Sequence, residues 1–407
     1  MATSPPIYLD NHSTTRLDPR VLAAMLPWLT DHYGNAGSVT HALGREARAA
    51  VDAARETFAA AIGATASEIV FTSGATESNN LALLGSVRRW QSLAKTGSGG
   101  HVITVATEHD AVLDPCDHLE RRGLAVTRLA VETQSSVGLP GRIRLGDLDA
   151  ALRPDTCLVS VMLANNEIGV IQDIPAIASR VHAQGGLLHV DAAQAVGRLE
   201  VDVQRLDADL MSFSAHKFHG PKGVGALWLR RRGRVVRVEP LVYGGGQERG
   251  MRSGTADVPG IVGMAEAARL AVAGLLEEAE LMRDLRDRLW ERLRTTITGV
   301  TLNGPPLDAA SAGEPVRLVN NLNVCVAGVD GQTLLSTLSD DGLAVSSGSA
   351  CSSEHPRPSH VLLAIGLDLD QARASLRFGL SRFTTAAEID GAAERIAAGV
   401  ARLRLLS

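Results

Sequence analysis

The chain has 407 residues, of which 45% are hydrophobic and 21% are charged, and its formal net charge is −5. A chain of this length and composition can bury the cores of one large and one smaller domain. The basic residues are dispersed and no apolar run reaches about 18 residues, which argues against a nucleic-acid surface, an anionic-membrane surface and a transmembrane helix.

The four cysteines, Cys116, Cys157, Cys325 and Cys351, lie far apart and form no CxxC pair. This spacing favours reduced thiols over a disulfide framework or a zinc knuckle. The first residues, MATSPPIYLDN, have neither the basic nor the apolar region of a signal peptide. We therefore expect a cytoplasmic protein.

In chain order, a short apolar start and turn formers at 1–19 are expected to pack at an active-site rim. Apolar residues at helical spacing follow over 19–62, with a loop at 34–44. Strands are then predicted at 68–72, 101–106, 125–131, 157–164 and 186–190, and helices at 75–90, 109–122 and 174–184. This alternation predicts an α/β fold with a mainly parallel sheet flanked by helices.

A long helical pattern at 258–297 leads out of this large domain. Beyond it, strands are predicted at 318–326, 343–346 and 375–379, with helices at 331–338, 360–365 and from residue 386 onwards. These elements predict a smaller C-terminal α/β domain. We assign residues 20–260 to the large domain, and residues 1–19 together with 261–407 to the small one.

Lys217 lies in the segment MSFSAHKFHGPKG, which holds two of only three lysines in a chain with 37 arginines. A guanidinium stays protonated, whereas a desolvated amine can attack a carbonyl. By itself Lys217 would be read as an ordinary loop lysine. However, Asp191 ends a predicted buried strand about 26 residues upstream. Such a pair suits pyridoxal 5'-phosphate, in which a carboxylate keeps the pyridine nitrogen protonated and a lysine holds the aldehyde as a Schiff base.

Further polar residues follow predicted strands, where ligands bind in sheets of this kind. The turn TSGATES at 72–78 opens a helix and can hold a phosphate together with Ser214 and His216, although a plain N-cap explains this segment equally well. His109 can stack on a flat ring and act as an acid or base, or be merely structural.

The remaining candidates are amides and an arginine. Asn165, Asn166 and Gln194 offer amides for a ring hydroxyl or a carboxylate. Arg377, in SLRFGLSRF, can bind a substrate carboxylate through two hydrogen bonds, but in isolation it reads as a surface arginine.

Cys351 lies in SSGSACSS, a run of small residues that packs poorly and exposes a thiol. Cys157 and Cys325 lie in strand patterns and are predicted to be buried and inert, so Cys351 is the candidate nucleophile. His355 could complete a metal-binding pair with Cys351, but no further ligand cluster supports it, and we predict no metal site.

Eight motifs occur in the order found in one family: GATESNNLA, TEHDAVLD, NNEIGVIQDI, HVDAAQAVG, SFSAHKFHGPKGVGAL, GGGQERGMRSGT, SSGSACSS and LRFGLSRFT. Together they span nearly the whole chain. It resembles the cysteine desulfurases of the class V aminotransferase group of fold-type I enzymes, and among them the NifS/IscS-like branch with a catalytic SSGSAC loop.

The resemblance implies a role for each matching residue. Lys217 would form the Schiff base with pyridoxal 5'-phosphate, His109 would lie over its ring, Asp191 would contact its pyridine nitrogen and Gln194 its ring hydroxyl. Ala75, Thr76, Ser214 and His216 would bind its phosphate, Thr255 would reach the phosphate of the neighbouring subunit in a homodimer, Asn166 would contact cofactor and substrate, and Arg377 would hold the substrate.

By the same resemblance, L-cysteine would be converted to L-alanine while Cys351 takes up the sulfur as a persulfide. A sulfur-acceptor protein in iron–sulfur cluster assembly or tRNA thiolation would then receive it. The alternatives are a selenocysteine lyase or a cysteine sulfinate desulfinase of the same family, which need no attacking thiol. A reading of another class is a sulfur-relay protein with a vestigial cofactor site.

Overall fold

A computed structural model describes residues 6–93, 99–347 and 358–405. The helices are α1 Pro19–Thr30, α2 Ala42–Ala61, α3 Ala75–Leu93, α4 Asp110–Arg121, α5 Leu145–Ala151, α6 Ile174–Ala183, α7 Val258–Ala273, α8 Leu275–Thr296, α9 Gly331–Asp340, α10 His360–Ala364, α11 Leu369–Arg373 and α12 Ala386–Arg404. Three short 3₁₀ turns lie at Ala66–Glu68, Ala215–Lys217 and Glu248–Gly250.

The strands are β1 Ile7–Tyr8, β2 Ile69–Thr72, β3 His101–Val105, β4 Ala125–Leu129, β5 Thr156–Met162, β6 Leu187–Asp191, β7 Leu210–Ser214, β8 Gly225–Leu229, β9 Val300–Leu302, β10 Ala310–Ser311, β11 Glu314–Pro315, β12 Asn321–Val326, β13 Leu343–Ala344 and β14 Ser375–Gly379. The predicted strands and helices up to residue 190 are all present, with ends displaced by at most three residues.

The large sheet has seven strands in the order β2-β8-β7-β6-β5-β3-β4. Strand β8 is antiparallel to both of its neighbours, and all the other pairs are parallel. The carboxyl ends of β2, β3, β5, β6 and β7 therefore meet at one edge. This confirms the predicted α/β class with a mainly parallel sheet, although the sequence did not reveal β8.

Both faces of this sheet are covered, as expected for parallel strands. Neighbouring residues alternate between two apolar clusters, so that Val70 and Val102 pack towards α3 and α4, while Phe71 and Ile103 pack into the cluster that contains α1, α2 and α7. The strands β2 to β7 are consequently held from two sides, which fixes the edge where they end.

A second sheet, in the order β14-β12-β9, is antiparallel and has its own apolar cluster with α8, α9 and α12. Ile7 and Leu9 of the N-terminal segment belong to this second cluster, and β1 pairs with β13. Residues of α10 and α11 pack instead into a cluster of the large sheet. The division into domains at 20–260 and at 1–19 with 261–407 stays a prediction.

The continuous helical pattern predicted at 258–297 is wrong in one respect, because it forms two helices. Gly274 ends α7 and begins α8, and the two axes are bent by 74°. An added Cβ at Gly274 would lie 2.5 Å from Glu278 Oε1, at the end of a flexible side chain that can move away. Within the described ranges, only this bent pair taken together has the length and apolar content to span a membrane, and no single helix does.

A buried histidine joins three of the strands that end at the site edge. His189 Nδ1 lies 2.8 Å from Ser160 Oγ on β5, and its Nε2 lies 2.9 Å from Ser212 Oγ on β7. The side chain has no exposed surface, and this burial lowers the pKa of His189 to about 3. The folded chain therefore keeps His189 neutral.

We predict that this histidine makes stability depend on pH. Below about pH 6.5 His189 binds a proton in the unfolded chain but stays neutral in the folded chain. The free energy of unfolding therefore falls as the pH falls. Between pH 7 and pH 5 His189 should lower the free energy of unfolding by about 2 kcal/mol. In urea unfolding, His189→Gln should lose less free energy of unfolding between pH 7 and pH 5 than the wild type does. The control His118→Gln, at an exposed position, should lose as much as the wild type. An unchanged loss in His189→Gln would contradict this.

Candidate active site

A cavity of about 450 Å³ opens where the parallel strands end. Most of the residues singled out from the sequence line it, namely Ala75, Thr76, His109, Asn166, Asp191, Gln194, Ser214, His216, Lys217 and Arg377. Further lining residues, which the sequence did not single out, include His12, Ser13, Thr14, Asn79 and Lys222.

Lys217 follows β7 in the 3₁₀ turn Ala215–Lys217. This turn is compact because the amides of Phe218 and Gly220 both donate to the carbonyl of Ala215. The Lys217 Nζ donates to the main-chain carbonyls of His12 at 2.6 Å and Ser13 at 2.8 Å. The amine is thus directed at one point of the cavity by the N-terminal segment.

Asp191 is the last residue of β6 and is 3% exposed. Its Oδ2 accepts a hydrogen bond from Asn79 Nδ2 at 2.7 Å, and its Oδ1 accepts one from the amide of Ala193 at 2.9 Å. Asn79 lies on α3 with no exposed surface. A carboxylate held on both oxygens is fixed in direction, which suits contact with a protonated ring nitrogen.

The amino end of α3 forms one wall of the cavity. The amides of the first helical turn have no carbonyl partner within the helix, and the dipole makes this end positive. Gly74 has φ of +150°, and a Cβ on the facing Gly225 would lie 2.6 Å from the Gly74 Cα, so the turn and β8 pack closely because both residues are glycine. The arrangement suits an anion such as a phosphate.

Ser214 and His216 face the same part of the cavity. His216 Nδ1 lies 3.1 Å from Thr14 Oγ1. Burial, together with the charges of Lys217 and Lys222, lowers the pKa of His216 to about 4. His216 is therefore neutral near pH 7, and the two lysines supply the positive charge beside it.

His109 caps the amino end of α4, where its Nδ1 accepts a hydrogen bond from the amide of Ala111 at 3.0 Å. In neutral His109 the proton must then be on Nε2. The position of the ring is thereby set by the helix it caps, and the ring lines the cavity beside Asp191.

The structure separates the two neighbouring asparagines, of which the family resemblance singled out Asn166 alone. Asn165 is buried, and its side chain bonds the amides of Glu167 and Ile168 and the carbonyl of Thr107, so it shapes the loop. Asn166 lines the cavity. Only Asn166 is therefore available to a ligand.

Arg377 is 2% exposed, which excludes the reading as a surface arginine. Its Nη2 donates to Asp10 Oδ1 at 2.9 Å and Ser13 Oγ at 2.8 Å, and its Nη1 donates to the carbonyl of Asn166 at 3.1 Å. Its Nε is buried and has no partner in the described part of the chain. A guanidinium held in this way can bind an additional anionic group.

Cys351 and His355 lie outside the described residues. Among the predicted residues that the structure describes, Thr255 does not line the cavity. Thr255 is exposed, on the segment whose Arg252 bonds Glu77 at the cavity wall. Cys157 and Cys325 are buried as predicted, and burial raises the pKa of both thiols.

The residues missed from the sequence act mainly through other residues. Asn79 bonds Asp191, and His12 contacts Gln194 and Asn321. The predicted packing of residues 1–19 at a site rim was the one available signal for His12. Among the described residues, no group of three or more His, Cys, Asp or Glu side chains is arranged to hold a metal ion.

We predict that Asn79→Asp weakens the site, because it removes the hydrogen-bond donor and sets a second buried acidic group against Asp191. The free energy of unfolding should fall by about 3 kcal/mol. Asn80→Asp is the matched control, since Asn80 is half-buried on the same helix and its side chain bonds the carbonyl of Thr76. It should change stability by less than about 1 kcal/mol. Equal effects in urea unfolding would refute the role of Asn79.

Comparison with known proteins identifies the family. The family model for class V aminotransferases matches residues 7–391. The cysteine desulfurase IscS of Escherichia coli is 49% identical over 404 residues, which cover 99% of this chain and 94% of that protein.

Solved structures agree with this assignment. A NifS-like protein superposes with a TM-score of 0.85 at 38% identity and covers 98% of this chain and 100% of its own. SspA, solved in complex with cysteine, gives a TM-score of 0.76 at 34% identity over 93% of this chain and 99% of its own. The chain belongs to the class V aminotransferase family, within its NifS/IscS-like branch, as its motifs predicted.

Proposed function

We propose that this chain is a pyridoxal 5'-phosphate-dependent cysteine desulfurase that converts L-cysteine to L-alanine. In the reaction the bond between the substrate sulfur and its β-carbon breaks, and the sulfur forms an S–S bond with the sulfur of Cys351. The carbon keeps the electron pair of the broken bond and gains one proton, which balances the proton lost by the Cys351 thiol. The two sulfurs are thereby oxidised and the carbon is reduced, so no external oxidant is needed. The chief support is the convergence of Lys217 and Asp191 in one cavity, in a chain 49% identical to IscS.

The residues present fit the proposed cofactor. The cavity offers an amine, a carboxylate held on both oxygens and a helix amino end, which match an aldehyde, a ring nitrogen and a phosphate respectively. Lys217 would hold the cofactor, Asp191 would contact its ring nitrogen, and Gln194 its ring hydroxyl. Ala75, Thr76, Ser214 and His216 would bind its phosphate, and His109 and Asn166 would contact its ring.

When bound, this cofactor supplies the electron sink for the charge left on the substrate α-carbon. Lys217 is proposed to take the proton from that carbon, and the carbonyls of His12 and Ser13 direct its Nζ. His109, with its Nδ1 engaged by a backbone amide, is proposed to hold a proton at Nε2. The chain thus supplies acid and base groups whose directions are set before the substrate binds.

Arg377 is the proposed site for the substrate carboxylate. It is nearly fully buried, and its Nε atom has no partner in the described part of the chain. Arg377 lines the cavity, so a carboxylate bound there would lie against its guanidinium, and Asn166 lies beside it. L-cysteine as the substrate is further supported by SspA, a related protein solved with cysteine.

Cys351 is proposed as the sulfur acceptor on the strength of the SSGSACSS motif. A selenocysteine lyase or a cysteine sulfinate desulfinase is not favoured by the high identity to IscS. An acceptor protein of iron–sulfur cluster assembly or tRNA thiolation would then take the sulfur. We also propose a cytoplasmic location, as expected from the sequence.

We propose that the chain forms a homodimer. Leu22, Leu26 and Leu29 are exposed on α1 at a spacing that puts them on one helix face, an apolar surface that a partner can cover. Thr255 is exposed and does not line its own cavity. It would therefore reach the phosphate bound in the partner subunit.

The function is tested with two variants. Lys217→Ala should lose the visible absorption of the bound cofactor and all alanine production. Cys351→Ser should keep that absorption but make no alanine from L-cysteine, because the attacking thiol is gone. Full alanine production by Lys217→Ala would refute the proposal, and turnover by Cys351→Ser would favour the alternatives that need no thiol. Wild-type protein without visible absorption would revive a sulfur relay with a vestigial site.

The trans role of Thr255 is tested in hybrid dimers. In the hybrid, one subunit carries Lys217→Ala and the other carries Thr255→Leu. The two homodimers made of either variant alone are impaired at both of their sites. If Thr255 acts across the interface, the hybrid has one site with both residues intact and should regain about half the wild-type activity. If Thr255 acts within its own subunit, the hybrid has no intact site and stays as impaired as the homodimers.

A further inference from the structure

His12 occupies a buried position between the two sheets, and the proposed chemistry uses its main-chain carbonyl but not its side chain. Its side chain is 1% exposed, and its ring packs on Gly379, where an added Cβ would lie 2.7 Å from the His12 Cδ2. The Nδ1 lies 3.1 Å from Gln194 Oε1, and the Nε2 lies 3.1 Å from Asn321 Nδ2. One imidazole therefore joins β12 to the cavity wall.

The direction of these hydrogen bonds is set by Asn321. Its Oδ1 accepts from Arg317 Nη2 at 2.9 Å, and its Nδ2 donates to the carbonyl of Glu167 at 2.9 Å. A guanidinium can only donate and a carbonyl can only accept, so the amide of Asn321 has one possible orientation. Its Nδ2 must then donate to the Nε2 of His12.

It follows that the proton of His12 is on Nδ1. Burial, and the charges of Arg198, Arg377 and Lys217, hold the pKa of His12 well below its usual range, so the ring is neutral. A neutral imidazole that accepts at Nε2 carries its hydrogen at Nδ1. That hydrogen is donated to Gln194 Oε1, which makes the Gln194 oxygen an acceptor inside the protein.

The amide nitrogen of Gln194 is what remains for a ligand. Its Nε2 donates one hydrogen to the carbonyl of His12 at 2.9 Å. An amide nitrogen has two hydrogens. Since Gln194 lines the cavity, its second hydrogen is the group available there.

We propose that His12 is a positioning residue that, through a one-way chain of hydrogen bonds from Arg317 and Asn321, makes Gln194 present an N–H donor to the cofactor ring oxygen. This inference rests on the proposed cofactor site. A donor stabilises the ionised form of that oxygen, whereas a Gln194 amide turned by 180° would oppose it with a carbonyl. The orientation of one amide thus tunes the bound cofactor.

The test is a pH titration of the visible absorption of the cofactor-bound protein. The quantity compared between variants is the midpoint, which is the pH at which half of the absorption change has occurred. His12→Phe keeps a ring against Gly379 but removes both hydrogen bonds. In Gln194→Leu we expect this midpoint to rise by about one pH unit, because a lost hydrogen bond to a charged oxygen changes an equilibrium about tenfold. His12→Phe should raise the midpoint by a smaller amount, because the main-chain carbonyl of residue 12 still accepts a hydrogen bond from Gln194 Nε2. In the Gln194→Leu background, His12→Phe should cause no further shift, since His12 acts only through Gln194.

Two further pairs of variants separate this role from simple packing. His12→Asn keeps a donor near the Nδ1 position and should restore the wild-type midpoint. Asn321→Ala should raise the midpoint, whereas Asn323→Ala should not. Asn323 also donates to the carbonyl of Glu167 from the same strand, but the structure gives it no bond to His12.

An unchanged midpoint in both His12→Phe and Asn321→Ala would overturn the inference, and so would shifts from His12→Phe and Gln194→Leu that add together. If His12→Phe does not fold, the Asn321→Ala and Asn323→Ala pair decides the question. Wild-type protein that binds no cofactor would remove the proposed function and this inference together, whereas a normal band that no variant shifts would remove the inference alone.

Discussion

The N-terminal segment binds to the end of β7, and the geometry of the site depends on this contact. The carbonyls of His12 and Ser13 receive the amine of Lys217, while the amides of Thr15 and Asp18 donate to the carbonyls of His216 and His219. The 3₁₀ turn that carries the lysine is thereby held on its outer side. Without that segment the amine would lose these two hydrogen bonds, and a long flexible side chain would have many rotamers open to it.

Positive charge prevails around this cavity. Arg198 and Arg377 are buried beside Lys217. Arg377 pairs with the partly exposed Asp10, and Arg198 bonds main-chain carbonyls. Burial lowers the pKa of Arg198 to about 10. Burying these positive charges costs desolvation free energy. The attraction of an anionic ligand offsets part of that free energy when the ligand binds. A phosphate and a substrate carboxylate both suit such a cavity.

The two sheets contribute different parts of the site. The large sheet supplies Asp191 and Lys217 at adjacent strand ends, whereas β12 and β14 of the smaller sheet supply Asn321 and Arg377. His12 lies between them and contacts residues from both. The ring contacts proposed for Asp191 and Gln194 therefore come from the large sheet and the carboxylate contact proposed for Arg377 comes from the smaller one, and the N-terminal segment touches both.

The sequence by itself determined the alternation of strands and helices, the α/β class and the family, because these follow from local periodicity, capping residues and contiguous motifs. It also named Asp191, because this residue ends a buried apolar strand pattern, and Lys217, because lysine is rare in a chain with 37 arginines. The antiparallel β8, the bend at Gly274 and the loop contacts of Asn165 were decided only by tertiary structure. So were the contacts of His12 and Asn79, because a hydrogen bond between residues 112 or 182 positions apart leaves no local pattern in the chain.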